Sequence, residues 1–362
     1  MNIHMVSVVG ARPQFVKAAA ISNVIRDGNY NIQESIIHTG QHYDANMSDI
    51  FFDGLGIPSP IVNLGVGSGA HGLQTGKMME LIEKNLQDMK PDCLLVYGDT
   101  NSTLAASLVA AKSHIPCAHV EAGVRTYDRK APEEINRVVA DHVSQILFCS
   151  SNLSVENLRK EGIVDNVYNC GDIMLDTFNK YISISKSKSS ICEVLGLAKW
   201  DYYLATIHRP RNTDNKDNLF NILKALEIAD KKVIFPMHPR TRAILADTLI
   251  GENIIIMEPV PYLDLLALES NADLIITDSG GIQKEAYWSH VPCIIVGLVP
   301  EWAELEQYGY STLSKPITQD ILKSIDRLQK NRHMLRYKDG IYGVGESAKV
   351  IIDTISKRFA HA

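Results

Sequence analysis

Ile276-Thr277-Asp278-Ser279-Gly280-Gly281-Ile282-Gln283-Lys284-Glu285 carries an apolar strand through a Ser-Gly-Gly corner into a helix. The corner has the chemistry of a diphosphate cradle. Two glycines let the backbone approach a pyrophosphate closely, the free N–H groups and positive dipole end of the helix face the anion, and the Ser279 hydroxyl adds a donor. Glu285, one turn into the helix, is placed where a carboxylate accepts hydrogen bonds from a ribose diol. The same residues also make an ordinary strand-to-helix turn with Asp278 or Ser279 as N-cap, so the corner alone does not choose between the two readings. A second corner, Val8-Val9-Gly10-Ala11-Arg12-Pro13, stands at the other end of the chain, again with glycine at a strand exit and a cation behind it. Two anion-competent corners so far apart point to two domains facing one ligand.

Between the corners, strand-like runs alternate with amphipathic helical stretches, the pattern of an α/β chain folded as two doubly wound, Rossmann-like domains. Strands are predicted near Ile3 to Val9, Glu34 to His38, Cys93 to Tyr97, Cys117 to Glu121 and Gln145 to Cys149, then near Tyr202 to Thr206, Lys232 to Phe235, Asn253 to Met257, Asp273 to Ile276 and Cys293 to Val296. The clearest helix is Glu133 to Ile146, opened by Pro132 and an acidic pair, with Ile135, Val138, Val139, Val143 and Ile146 as its apolar stripe. Tyr181 to Ser190 is polar, serine-rich and without helix or strand period, and the interdomain region is placed there. The expected division is 1–180 for the N-terminal domain, 181–345 for the C-terminal domain, and a closing helix over 346–362 that packs back on the first domain.

A chain of 362 residues that is 45% hydrophobic suits two cores, and a net charge of −6 offers no basic field, so a nucleic-acid partner is not expected. No apolar run approaches the roughly 20 residues of a membrane helix, and Met1 to Gly10 reads as a strand rather than a signal peptide; the expectation is no membrane insertion and a cytoplasmic location. The six cysteines show no Cys-x-x-Cys spacing and read as small buried hydrophobes. His38, His42, His114 and His119 lack metal-ligand spacing, so no metal is expected.

Ligands of open α/β sheets bind beyond the strand C-termini, which makes charged residues just past a strand candidates. In the first half these are Asp99, Glu121 and Glu133. Asp99 and Glu133 singly read equally as caps; all three acids at one sheet edge, beside Arg12, Lys17, Arg125 and Arg137, are less easily structural, because like charges there cost stability unless a cationic or hydroxyl-rich ligand setting uses them. In the second half, His208-Arg209-Pro210-Arg211 and His238-Pro239-Arg240 follow successive strands and supply cations suited to phosphate.

Seven ordered motifs then resemble the non-hydrolysing UDP-N-acetylglucosamine 2-epimerases over essentially the full chain: Gly10 to Lys17, Thr39-Gly40-Gln41-His42, Gly98-Asp99-Thr100, His119 to Gly123, Pro132 to Arg137, His208-Arg209, and Thr277 to Ala286. The resemblance implies a glycosyltransferase-B type fold with 181–345 as the UDP-binding domain, a UDP-sugar substrate, a cleft that closes on it, no cofactor, and a homodimer. It implies C2 epimerisation of a UDP-2-acetamido sugar by elimination of UDP to a 2-acetamidoglucal and re-addition, for surface polysaccharide precursors. By the same resemblance Asp99, Glu121 and Glu133 are the acid/base carboxylates and His208 a catalytic group near the leaving phosphate. Arg12, Lys17, His42, Arg137 and His238 resemble substrate-binding residues, Ser279, Gly280 and Gly281 the diphosphate corner, Glu285 the ribose ligand, and the loop at Val260 the uracil contact.

Several positions depart from the family pattern. Gln14 replaces an acid near the sugar, Arg211 replaces a glutamate, and arginines usual late in the chain fall on Gly297 and Trp302. The Arg-Gln pair that holds an activating second UDP-N-acetylglucosamine in many bacterial members falls on Ser68-Gly69, which implies no activator. The Ala11 to Phe15 opening, the segment His38 to Phe52 and Glu301-Trp302 are similar to the subgroup acting on UDP-2,3-diacetamido-2,3-dideoxyglucuronic acid. The alternatives are a glycosyltransferase of the same fold, a hydrolysing epimerase, which Pro13-Gln14-Phe15 disfavours, and a non-catalytic nucleotide-sugar-binding regulator.

Overall fold

The apolar runs form two sheets, each built only from parallel strands. This is seen in a computed structural model that describes residues 2–41, 57–237, 239–245, 251–335 and 337–360. The first sheet contains β1 (Ile3–Val9), β2 (Ile32–His38), β3 (Val62–Asn63), β4 (Cys93–Tyr97), β5 (Cys117–Ala122), β6 (Ile146–Cys149) and β7 (Val167–Asn169), in the order β3-β2-β1-β4-β5-β6-β7. The second contains β8 (Tyr202–Thr206), β9 (Lys232–Pro236), β10 (Ile254–Met257), β11 (Leu274–Thr277), β12 (Cys293–Val296) and β13 (Ser311–Ser314), in the order β10-β9-β8-β11-β12-β13. Both orders reverse direction beside the first strand of their sheet, which opens a crevice at the carboxyl ends of β1 and β4 and of β8 and β11.

Continuous apolar strands arise because helices cover both faces. In the second sheet Tyr203, Ala205, Val233, Phe235, Leu274 and Ile276 point into one core with Leu219, Ile222 and Ile321, while their neighbours Tyr202, Leu204, Ile234 and Ile275 point into another with Leu268 and Ala286. The strands absent from the sequence reading, β3, β7 and β13, are all at sheet edges. Pairing on one side and partial exposure leave β3 and β7 no apolar run to recognise.

The chain divides into two compact units, Met1–Thr177 with Asp339–Ala362, and Phe178–Lys338. The division falls inside a helix, Ile173–Lys188, so the stretch Tyr181 to Ser190 is helical over most of its length rather than a structureless link. Two of its serines are occupied, Ser185 Oγ donating to Leu263 O at 2.6 Å and Ser187 Oγ to Ile184 O at 3.0 Å, and the next residue past the helix, Ser189, donates through Oγ to Asp264 Oδ1 at 2.6 Å. The helix Ser347–Phe359 belongs to the first unit, where Asp176 accepts from the N–H groups of Ser347 (3.0 Å) and Ala348 (2.7 Å) at its start. Among the described residues no helix is long and apolar enough to cross a membrane.

The helix predicted over Glu133 to Ile146 runs from Pro132 to Val143, and its orientation differs from the apolar-stripe reading. Ile135 is 47% exposed, while Glu134, Asn136, Arg137 and Asp141 are buried. A polar face can turn inward here because every one of those groups finds a partner at the strand ends beneath it, as described next.

Candidate active site

The exits of β1 and β4 are tied together by one buried amide. Gln14 Oε1 accepts from the N–H groups of Gly10 (2.8 Å) and Ala11 (3.1 Å), and Nε2 donates to Tyr97 O (2.8 Å) and to the hydroxyls of Thr100 and Thr103 (3.0 Å each). This corrects two expectations. The first corner is not an open anion cradle, since Gln14 already takes its N–H groups, and Gln14 is a scaffold residue rather than a neutral substitute facing the sugar. Gly10 is required by the close approach: a Cβ there would lie 2.2 Å from both Ser102 Oγ and Thr39 Oγ1.

Glu121 sits where β5 bulges, its register against β6 shifting between Val120 and Ala122. Its φ is 72°, a left-handed conformation that costs a non-glycine residue on the order of 1–3 kcal/mol. The bulge re-aims the side chain out of the strand alternation, and Lys17 Nζ donates to its Oε1 at 2.6 Å. Gly98, at the end of β4, gives both groups room: a Cβ there would lie 3.3 Å from Glu121 Oε1 and from Lys17 Nζ.

Below them lies an ionic layer that the sequence did not disclose. The fully buried His119 faces Asp141 Oδ1 through Nδ1 (2.7 Å) and Gly98 O through Nε2 (2.7 Å), and Asp141 Oδ2 accepts from Gly123 N (3.1 Å) and Arg125 Nη1 (2.6 Å). Burial pushes the Asp141 carboxyl upward, but His119 and Arg125 outweigh it and hold the group below the usual carboxylate range. Arg125 also forms a bidentate pair with Glu161 at 2.7 Å for each bond. Arg125 is therefore buried and committed within the scaffold, not a cation facing ligand.

Asp99 follows β4 and pairs with Arg137, whose other terminal nitrogen lies 3.4 Å from Glu134 Oε2. Asn136, on the same helix, donates to Asp99 O at 2.9 Å. The two adjacent acids of Pro132-Glu133-Glu134 thus part ways. Glu134 is buried and accepts from the N–H groups of Thr126 and Tyr127 at 2.9 Å each, whereas Glu133 is exposed and makes no ion pair among the described residues. The fold brings Asp99 and Glu121 to adjacent strand ends, with Glu133 at the first turn of the helix that holds Asp99. Lys17 and Arg137, expected as substrate cations, are the ionic partners of those two acids. The Arg12 side chain, His42 and His238 lie outside what the structure describes.

In the second unit, Ser279 precedes the helix Gly280–Trp288 in extended conformation (ψ 126°), and its side chain makes no cap bond. Ser279 thus holds the N-cap position through its backbone, and Asp278 is not the cap. That carboxylate is fully buried and reaches sideways to the exit of β8, accepting from His208 N (3.1 Å), Arg209 N (3.0 Å) and Asn212 Nδ2 (2.9 Å), with His208 Nδ1 at 3.4 Å. Asp278 and Asn212 are positioning residues that motif reading alone did not assign; the available signal was a carboxylate at the end of an otherwise apolar strand. The His208 side chain remains 42% exposed. Arg209 Nη2 donates to Glu301 Oε2 at 2.6 Å, and Trp302 Nε1 donates to Gly280 O at 2.8 Å. Arg211 occupies the space beside Gly297, where a Cβ would lie 2.9 Å from its Nη2.

Glu285 is buried and accepts from Tyr262 OH at 2.8 Å. Burial first, and the adjacent Glu285 second, push the Tyr262 phenol well above its ordinary value. Glu269, fully buried on the neighbouring helix, is pushed up by burial and then by Glu285. Val260 is half-buried against the core beside these residues.

A family model described as UDP-N-acetylglucosamine 2-epimerase matches residues 26–356. A Methanococcus maripaludis protein called a UDP-N-acetylglucosamine 2-epimerase homolog is 46% identical over 97% of this chain and 99% of its own length. The UDP-2,3-diacetamido-2,3-dideoxy-D-glucuronate 2-epimerase of Pseudomonas aeruginosa is 40% identical over 98% of this chain and 99% of its own. Among solved structures, the Methanocaldococcus jannaschii UDP-GlcNAc 2-epimerase in complex with UDP-GlcNAc and UDP aligns with a TM-score of 0.91 and 39% identity over 98% of this chain and 100% of that one. These proteins share with the chain two parallel-sheet α/β domains of glycosyltransferase-B type, and the chain belongs to the UDP-N-acetylglucosamine 2-epimerase family.

Proposed function

We propose that the protein reversibly inverts C2 of a UDP-2-acetamido sugar, either UDP-N-acetylglucosamine or its 2,3-diacetamido glucuronate counterpart. The observation that carries this reading is the pair of strand-end carboxylates, Asp99 with Arg137 and Glu121 with Lys17, the second held on strained backbone at a bulge. Strain maintained by a surrounding ionic layer fits a reacting group better than a cap. One carboxylate removes the C2 proton while the C1–O bond breaks and its electron pair leaves with UDP, giving a C1=C2 double bond. Return of UDP to C1 with protonation of C2 on the other face completes the inversion. Glu133 is the third acid of this set, and the Ser279-Gly280-Gly281 corner with His208 receives the leaving diphosphate.

The finer assignments belong to the same reading: Glu285 takes the ribose diol, the backbone at Val260 the uracil, and Arg12, His42 and His238 contribute to substrate binding. The enzyme acts in the cytoplasm as a homodimer and feeds a surface polysaccharide pathway. Its division of labour is 1–180 for the proton chemistry and 181–345 for UDP, with 346–362 completing the first domain.

Positional isotope exchange tests the bond that breaks. Substrate carrying heavy oxygen in the C1–O–Pβ bridge should scramble that label into the non-bridging β-phosphate positions during turnover. Retention of the label in the bridge while C2 inverts would overturn elimination as the route.

A further inference from the structure

The loop after β12 places an acid where the ligand's own charge is expected. A Cβ on Gly280 would lie 2.3 Å from Glu301 Oε2, 2.7 Å from its Cδ and 3.0 Å from its Oε1, so the Glu301 carboxylate lies against the first residue of the helix Gly280–Trp288. Three contacts hold it there. Arg209, from the loop after β8, donates to Oε2 at 2.6 Å. The next residue, Trp302, is buried, donates to Gly280 O at 2.8 Å, and carries Lys284 Nζ 3.9 Å above its ring. The carboxylate is thus delivered by an anchored loop, not by a freely swinging side chain.

We propose that Glu301 is a tethered anion that fills the diphosphate corner while no nucleotide is bound and exchanges places with the diphosphate on binding. This rests on the reading of Ser279 to Gly281 as the diphosphate corner. A carboxylate and a diphosphate ask the same things of this site, a guanidinium fork and the positive end of a helix. They cannot share it, because two anions at contact distance repel strongly in a partly desolvated corner. Binding therefore transfers Arg209 from Glu301 to the phosphate oxygens, and release transfers it back. The exchange keeps Arg209 neutralised in both states and makes the net gain on binding smaller than an empty cradle would give. The epimer leaves the enzyme still joined to UDP, so an internal competitor for the diphosphate also speeds product release.

The test is equilibrium binding to the full chain by titration calorimetry, with UDP and with uridine, for the wild type, Glu301→Gln and Glu301→Asp. Removing the competing charge should tighten UDP by about 3- to 30-fold in Glu301→Gln, the range of one partly exposed ion pair to a charge-assisted one, and leave uridine affinity unchanged. Glu301→Asp, whose shorter side chain withdraws the carboxylate from Gly280, should tighten UDP by a smaller factor. Unchanged or weaker UDP binding in both variants, with thermal melts like the wild type, would overturn the exchange and leave Glu301 as a partner that only positions Arg209. Equal tightening of UDP and uridine would overturn it as well, because the effect would not depend on phosphate charge. A wild type that binds no UDP would instead remove the functional reading on which the proposal stands.

Discussion

Lys17 Nζ lies 2.6 Å from Glu121 Oε1, joining the first helix of the chain to a β-bulge across a glycine whose Cα face leaves both groups room. An ammonium so placed presents Glu121 as a carboxylate and fixes its direction, so its removal should be felt in the chemistry rather than in nucleotide binding. Glu121→Gln should lower turnover by about 10²–10⁴-fold with UDP affinity nearly unchanged. Lys17→Met should lower kcat by about 10-fold or more with UDP affinity nearly unchanged, since the carboxylate has lost the partner that fixes its direction. Steady-state kinetics with UDP titrations decide this. Wild-type kcat in Lys17→Met would assign that pair to the scaffold.

Gln14 makes the opposite kind of prediction. Its Nε2 feeds Tyr97 O, Thr100 and Thr103, and a carboxylate at the same place has nothing to donate. Gln14→Glu should therefore destabilise the first domain by about 1–3 kcal/mol at neutral pH, the cost of setting a buried carboxylate oxygen against the Tyr97 carbonyl in place of a donor. Urea unfolding measures it, and a variant as stable as wild type would mean the corner repacks around the acid.

Much of this architecture was legible because long parallel strands buried on both faces write themselves as apolar runs; β1, β4, β8 and β12 have the limits read from sequence. The edge strands β3 and β7 and the helix Ile173–Lys188 were not, since half-exposed pairing and serines satisfied by tertiary bonds leave no local signature. Motif reading singled out Asp99, Glu121 and the Ser279 corner as candidates. It could not see that Gln14, Asp278 and Asp141 hold those positions in place, because their roles depend on partners dozens of residues away.

Glu269 gives the stability a pH dependence of known sign. Burial and Glu285 raise its carboxyl well above the ordinary 4.5, and neither of its oxygens has a hydrogen-bond partner among the described residues. Above that ordinary value the unfolded chain releases a proton that the folded chain keeps, so stability falls as pH rises toward the folded value, by at most about 1.4 kcal/mol per pH unit. Glu269→Gln removes that slope. Urea midpoints of the two proteins should converge near about pH 5 and separate in the variant's favour by about pH 8. Parallel curves would mean that Glu269 is ionised in the native state.

Ser68-Gly69 lacks the Arg-Gln side chains that the family resemblance assigns to an activating second nucleotide sugar, and a Cβ on Gly69 would meet nothing within 4 Å. Turnover should follow a hyperbola in substrate without added UDP-N-acetylglucosamine. Sigmoidal saturation, or turnover of the diacetamido sugar only when UDP-N-acetylglucosamine is present, would place an activator site in this chain after all.

The central claim is proton exchange at C2, and solvent deuterium reads it directly. With UDP-N-acetylglucosamine and with the 2,3-diacetamido glucuronate as separate substrates in D2O, the account predicts deuterium at C2 of both epimers for the sugar that is turned over, and no exchange in Glu121→Gln beyond its residual rate. A new glycosidic bond or free sugar as main product, with C2 still protonated, would contradict it.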